Sequence, residues 1–599
     1  MSGQPAGLLE PPAAAGRVLR AVRLLWGVSP WGVGLLALLL AVQGALPAAA
    51  IAISQRTIDA LTAGGQDPLF WVGAWAGAQL LGGLFGPFDR MLRGELADRF
   101  TAAVNLRLIE KAGELAGLGT LEDPAYHDDL EVLSQGARSY PLNLIVNLVF
   151  LVRDAVTLAA LALLLGAYAP WMPLLLLAAA LPLARSLVTQ RDASYRAVVS
   201  ASPDARAMNY HGQVALGLEH AAEVRLWNLT DWLASRYRRR FGRVFTRMRR
   251  VRREALGRSL APLVLFYLAA GLSLGWAVRA AEAGALSVGA VVLVLQGVTR
   301  MQNSAQGVVE SLGYLFERSL FFGHLFRFLE AEPQVRPPAH PQPVPERPEI
   351  AFENVGFVYP DGRRALADVS FRIPYGQTVA LVGENGAGKT TLVKLLLRFY
   401  DPSEGRVVVD GVDLRELDPA EWRRRVSAVF QSFGRYAFTL GENVGLADLA
   451  RLDDEEGRAA ALQAAGIGGL PGRLPEGWAT PLSRAFGGSE LSGGEWQKLA
   501  IARALFREAE VLVLDEPTAA LDARAERRTF HDFARLARRR TALLISHRLA
   551  SVREADRLLV LKEGRLVEDG GHDELLAQGG EYAELWRLQA ERYKDAGVG

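Results

Sequence analysis

Apolar residues fill the first half of the chain in long unbroken runs and the second half in short ones separated by turns. The runs Trp31 to Ile53, Leu69 to Phe88, Leu142 to Tyr168, Trp171 to Leu187, Leu260 to Val278 and Val288 to Glu310 approach the length needed to cross a membrane. A hydrocarbon core of about 30 Å takes about 20 helical residues at 1.5 Å each. The pattern predicts six membrane-spanning helices rather than buried helices of a soluble protein. The connections after the second and fourth runs are long and keep helical spacing, as in Asp89 to Leu115, with short polar turns at Leu121 to Leu130 and Glu223 to Leu229. Those turns are candidate contacts to a cytoplasmic domain. Seven prolines between Glu332 and Glu349 predict an extended linker, after which β-branched strands alternate with helical patterns. The expected organisation is a membrane α-helical domain over 1–330, a linker over 331–349 and an α/β phosphate-loop domain over 350–599.

Charge adds an orientation. The second long connection carries Arg236, Arg238, Arg239, Arg240, Arg243, Arg247, Arg249, Arg250, Arg252 and Arg253, whereas the short loops carry few charges. The positive-inside rule then puts both long connections and both ends of a multi-pass protein of the cytoplasmic membrane on the cytoplasmic side. The arginines read as a solvated helix face, with anionic lipid heads as the alternative. Arg17, Arg20 and Arg23 precede a first run too long for a signal peptide, so that run is expected to stay as a helix. The net charge of +2 gives no ground for a nucleic-acid partner, and the absence of cysteine excludes disulfides, thiolate metal sites and a cysteine peptidase.

Two polar stripes interrupt the apolar helices. Gln296, Arg300, Asn303, Gly307 and Glu310 share one face of the sixth, and Asn143, Asn147 and Asp154 share one face of the third. Ionisable residues in a span usually face a bundle interior or water, so both stripes are expected to line a cavity, with Arg300 and Asp154 compensating each other.

The chemistry lies in the second half. Gly383, Glu384, Asn385, Gly386, Ala387, Gly388, Lys389, Thr390 and Thr391 fit a phosphate loop between a strand-like run and a helix-like run. The backbone amides would cradle a polyphosphate on the helix N-terminus, Lys389 would reach its β- and γ-phosphates, and Thr390 would hold Mg²⁺. The apolar strand Val511 to Leu514 ends in Asp515, a Mg²⁺ candidate, and Glu516, a candidate for orienting or deprotonating the attacking water. Leu491 to Glu495 precedes an amphipathic helix and forms a second anion-reading helix end, which suggests two copies of the domain around each ATP.

The order of Gly383 to Thr391, Gln431, Leu491 to Glu495, Leu514 to Glu516, Leu521-Asp522 and His547 resembles the nucleotide-binding domain of an ATP-binding cassette (ABC) transporter. Six helices fused ahead of one cassette resemble exporter-type half-transporters, which bind ATP between two chains. The resemblance implies that Tyr359 stacks on adenine, Gln431 senses Mg²⁺ and the membrane helices, and Ser492, Gly493 and Gly494 take the partner's γ-phosphate. It implies further that Asp522 lies at the dimer seam and that His547 contacts the γ-phosphate. The cofactors implied are ATP and Mg²⁺. The partners are a second half-transporter, as homodimer or heterodimer, membrane lipids, and an unidentified small or peptide substrate. Glu495 in place of the usual glutamine, and Ser432-Phe433-Gly434-Arg435-Tyr436 after Gln431, resemble the lantibiotic and small-peptide exporter branch. The expected function is ATP-driven export of an amphipathic, peptide, lipid or drug-like substrate. An importer on the same fold and an ATP-gated channel-like protein are the alternatives.

Overall fold

The computed structural model describes residues 11–63, 67–137, 139–198, 203–217, 220–515, 540–546, 552–553 and 555–595. The chain divides into two compact units, one of residues 1–111 and 128–330 and the other of residues 112–127 and 331–599.

In the first unit the six apolar runs fall in six long helices, Pro30–Ala63, Pro68–Glu114, Tyr140–Gly166, Trp171–Val198, Thr230–Glu282 and Val288–Leu329. At 1.5 Å per residue, 47 residues in Pro68–Glu114 and 53 in Thr230–Glu282 give helices of about 70–80 Å, more than twice a hydrocarbon core. The basic connections are therefore largely continuations of the apolar helices. Four of the six are long and apolar enough to cross a membrane. The helix at Trp171 is strongly apolar only to Leu183, and Val288–Leu329 falls short because its polar stripe dilutes it. Leu161, Leu165, Met172, Leu176, Phe266, Leu293 and Met301 pack into one buried cluster. Outward residues such as Trp31 and Leu163 stay more than three-quarters exposed, as a lipid-facing surface requires.

The stripes are arranged differently from the expected pairing. Asp154 pairs with its neighbour Arg153 at 3.1 Å, and its carboxylate lies where a Cβ on Gly307 would come within 2.1 Å of Oδ2. Gly307 thus serves close helix packing around a buried carboxylate. Arg300 instead opens, with Gln296 and Asn303, onto a cavity.

The second unit carries two sheets. Strands β1 (Ile350–Val358), β2 (Arg364–Ile373), β4 (Glu404–Val409) and β5 (Val412–Asp413) form an antiparallel sheet in the order β2-β1-β4-β5. Strands β3 (Thr378–Val382), β6 (Val426–Val429), β7 (Val511–Asp515), β8 (Thr541–Ile545), β9 (Arg557–Lys562) and β10 (Arg565–Gly570) form the other, ordered β10-β9-β3-β8-β7-β6. All its pairings are parallel except β10 with β9. Strands β7 and β8 are buried at every residue, which accounts for their continuous apolar sequence.

The proline-rich segment is extended, yet it belongs to the cassette unit. Gln342 donates its backbone N–H to Glu416 O, and Val335 is buried. Arg398, 2% exposed with φ of 49°, donates to Leu417 O at 2.6 Å and Arg336 O at 3.0 Å and pairs with Asp401 at 3.1 Å. One buried guanidinium thereby ties the segment to the cassette. Arg398→Leu would strand two carbonyls and a carboxylate. It is expected to lower cassette stability by about 2–5 kcal/mol, read as an earlier cassette transition in calorimetry.

Candidate nucleotide site

Parallel strands deliver the site residues to one edge. Leu381 of β3, Ile545 of β8 and Asp515 of β7 are level across the sheet, and Val429 of β6 pairs with Leu514. The loop after β3, Asp515 and the Gln431 segment after β6 therefore leave the same carboxyl edge, where open α/β folds bind ligands.

The loop needs glycine for stated reasons. A Cβ on Gly383, at φ of 151°, would come within 2.2 Å of Leu561 O, and Gly388 caps the next helix in the left-handed region, where a Cβ would meet Leu366 and Ala365. No side chain caps that helix, Lys389–Leu396, so its first-turn amides are left to an anion. Lys389 is 6% exposed and donates to Gly383 O at 2.7 Å and Glu384 O at 2.8 Å, which arches the loop over its ammonium. The two threonines part: Thr390 is exposed, while Thr391 is buried with its hydroxyl 3.1 Å from that of Tyr359. Thr390 and the buried Asp515 carry hard oxygen donors of the kind that could hold Mg²⁺, and the loop's geometry fits a polyphosphate. Tyr359 stands edge-on to Phe357 and Tyr400, with the Arg363 guanidinium 4.8 Å from its ring centroid.

The second anion-reading end is a capping box. Ser492 Oγ accepts the Glu495 N–H, and Glu495 Oε2 accepts from Ser492 N at 3.0 Å and Ser492 Oγ at 2.8 Å. Arg473 binds the other carboxylate oxygen at 2.9 Å. The Ser492 backbone N–H, helped by Ser492 Oγ and Arg473, holds the Glu495 carboxyl below the usual carboxylate range. The glutamate thus closes the box as glutamine would and adds an ion pair.

Residues 366–519 match the family model described as ABC transporter. The chain is similar to the subtilin transport ATP-binding protein SpaT of Bacillus subtilis, 29% identical over 545 residues that make up 89% of this chain and 88% of that one. It is 37% identical over 357 residues, 59% of this chain and 60% of the relative, to the ATP-dependent lipid A-core flippase of Bordetella avium. The solved structure of a bacterial Atm1-family ABC exporter with ATP bound superposes with a TM-score of 0.76 at 26% identity, over 97% of this chain and 99% of that one. Residues 366–519 thus carry an ABC transporter domain.

The structure brings the loop from Gly383 to Thr391, Gln431 and Asp515 to one edge of the six-stranded sheet, lets Tyr359 reach Thr391 from the end of β1 in the other sheet, and sets Ser492 to Gly494 on a separate helix end. Glu516, Asp522 and His547 lie outside the described residues. Sequence reasoning missed Arg503. That arginine, from the helix Gly493–Phe506, donates to Asn443 O at 2.8 Å, to Asn443 Oδ1 at 2.9 Å and to Gly434 O at 3.2 Å. It fixes the segment after Gln431 to the helix that begins at the signature, and its trace in sequence is a charge set among the apolar residues Leu499 to Phe506.

The turn beginning at Leu121 was expected to meet a cytoplasmic domain, and residues 112–127 do belong to the cassette unit; which side chains make the contact was not legible. Leu118 donates its N–H to Phe399 O at 3.0 Å, and Arg423 donates to Ala116 O at 2.7 Å. Glu122 accepts from the buried Tyr400 hydroxyl and pairs with Lys394 at 3.0 Å. Burial and the Glu122 hydrogen bond push the Tyr400 hydroxyl well above the usual phenol range. Lys394 Nζ lies 5.5 and 5.6 Å from the Tyr359 and Tyr400 ring centroids, so Glu122 is two side chains from Tyr359. Glu122→Ala leaves a buried hydroxyl without its acceptor. Hydrogen exchange at Leu118 is expected to quicken about tenfold or more, equivalent to about 1.4 kcal/mol, while β3 amides stay protected.

Proposed function

We propose that this chain is one half of an ATP-driven exporter, working as a dimer in the cytoplasmic membrane with both ends and the cassette on the cytoplasmic side. Its substrate is an amphipathic, peptide, lipid or drug-like molecule. The observation that carries this reading is the convergence of the phosphate loop, Asp515 and the Gln431 segment on one sheet edge, in a chain whose other unit is six long helices. The relatives' functions, subtilin transport and lipid A-core flipping, support movement of amphiphiles.

In this reading Lys389 and the loop amides bind the phosphates, and Thr390, Gln431 and Asp515 hold Mg²⁺, which neutralises the phosphate charge. Tyr359 offers a ring face to adenine. Glu516 accepts the proton of the attacking water, and His547 contacts the γ-phosphate. Ser492, Gly493 and Gly494 of the other chain complete the site, with Asp522 at the seam. The turn at Ala221–Leu226, which leaves Leu226 and Trp227 exposed, meets the other chain's cassette.

Vectorial, ATP-dependent uptake into inside-out vesicles tests the reading; uptake into right-side-out vesicles would make the chain an importer, and passive flux gated by ATP would make it a channel. Glu516→Gln is expected to retain ATP binding and to cut hydrolysis by about 10²–10⁴, since the amide keeps the shape without accepting the proton. Turnover within about threefold of the parent would remove Glu516 from the role. Mixing a Lys389→Ala chain with a Ser492→Arg chain should leave one intact composite site in each heterodimer and restore part of the activity. Full activity in a proven monomer would sink the dimer.

A further inference from the structure

Within the helical unit the polar stripe of Val288–Leu329 opens onto a cavity of about 770 Å³. Its polar wall holds Arg90, Arg93, Arg153 and Arg300 against the single carboxylate of Asp89. Counting Asp154, which pairs with Arg153 from behind, arginines still outnumber carboxylates four to two.

These arginines are not equivalent. Arg93 pairs with Asp89 at 2.8 Å, and Arg153 pairs with Asp154 at 3.1 Å. Asp89 is 7% exposed and its Oδ1 has no hydrogen-bond partner among the described residues, so withdrawing Arg93 would leave a bare buried charge. Arg93 and Arg153 also lie 5.9 and 5.0 Å from the Phe150 ring centroid, which fixes them further. Arg90 and Arg300 have no ion-pair partner among the described residues, and both are exposed to the cavity. A guanidinium kept among apolar helices without a counter-ion marks a functional position. Leu46, Ile51 and Leu295 add apolar lining to the same cavity.

We infer that this cavity binds an amphiphile with an anionic head group, a phosphate or carboxylate, which Arg90 and Arg300 hold while its tail lies on Leu46, Ile51 and Leu295. Guanidinium forks match the geometry of both groups and carry their charge at every physiological pH. The same wall repels a cationic peptide or drug. This narrows the substrate class of the exporter proposed above and rests on that reading.

The test uses the full-length chain in nanodiscs of zwitterionic phosphatidylcholine. Binding of radiolabelled lysophosphatidate is measured with lysophosphatidylcholine, a single-chain quaternary ammonium amphiphile and inorganic phosphate as competitors. Lysophosphatidate is expected to bind at least about tenfold more tightly than either other amphiphile, the advantage shrinking as salt rises. Arg90→Gln and Arg300→Gln should each weaken it about fivefold or more, and Arg300→Lys should bind more weakly than the parent but more tightly than Arg300→Gln, because the charge survives while the fork is lost. A far-ultraviolet circular dichroism spectrum and thermal transition like the parent's certify the folding of the glutamine variants, and where one fails to fold, the lysine variant and the competitor series on the parent decide. Equal affinity for the cationic amphiphile, or glutamine variants that bind as the parent does, would overturn the proposal. Displacement by inorganic phosphate at the same concentration as lysophosphatidate would overturn the amphiphile in favour of a free anion. ATP-driven movement of a cationic solute without lysophosphatidate binding would remove this inference and leave export standing, whereas tight lysophosphatidate binding without ATP-driven movement would support the cavity and remove export.

Discussion

A buried ammonium tolerates few surroundings, and the cassette is arranged to provide them for Lys389. The two carbonyls that receive it, Gly383 O and Glu384 O, can turn inward because Gly383 adopts a backbone conformation that would drive any Cβ into Leu561 O. With those carbonyls occupied, the loop amides are free to point outward, and the uncapped first turn of Lys389–Leu396 points with them. The position of β3 follows, since the loop must leave a strand flanked by β8 and β9, and the buried strands β7 and β8 then carry Asp515 to the same level. Moving any of these strands by one residue would turn its inward side chains outward and separate the acid from the loop.

The same loop reaches beyond the nucleotide through its second threonine. Thr391 meets Tyr359, Tyr359 stands against Tyr400, and Tyr400 gives its hydroxyl to Glu122 in a segment that lies between two long helices in sequence. Each link is a short-range contact whose geometry changes if its neighbour moves. Lys394, placed by the helix that starts at Lys389, closes the group by pairing with Glu122 beside both rings. A displacement of the phosphate-binding helix would therefore be felt at Glu122 through side chains alone.

Motifs and long apolar runs were legible because their physics is local. A glycine-rich turn between strand and helix, a strand ending in carboxylates and an apolar run of spanning length each need only their own residues, and the resemblance placed them in one fold. The loop lies between β3 and the helix Lys389–Leu396, Asp515 ends β7, and Ser492 caps the helix Gly493–Phe506, in the strand and helix contexts the sequence predicted. What stayed hidden depends on tertiary proximity. Arg503 looks like an ordinary helix arginine until Asn443 and Gly434 surround it, and Arg398 looks like surface charge until Leu417, Arg336 and Asp401 enclose it. The proline-rich segment read as a linker because composition reports extension and does not report that Val335 and Gln342 find partners on the cassette.

The misplaced partner of Asp154 has an instructive cause. The two polar stripes suggested that Arg300 and Asp154 face one cavity, but a pair also needs facing rotation and room between the backbones. Gly307 removes that room: without a Cβ it lets the two helices approach until the Asp154 carboxylate lies against backbone, and Arg153 from the same helix supplies the charge. The glycine that the stripe appeared to contain as a mere small residue thus decides which cation serves Asp154. By satisfying that carboxylate locally it leaves Arg300 without a protein counter-ion among the described residues, and a helical unit that holds such a cation in its cavity has kept one half of an ion pair for something that is not part of the chain.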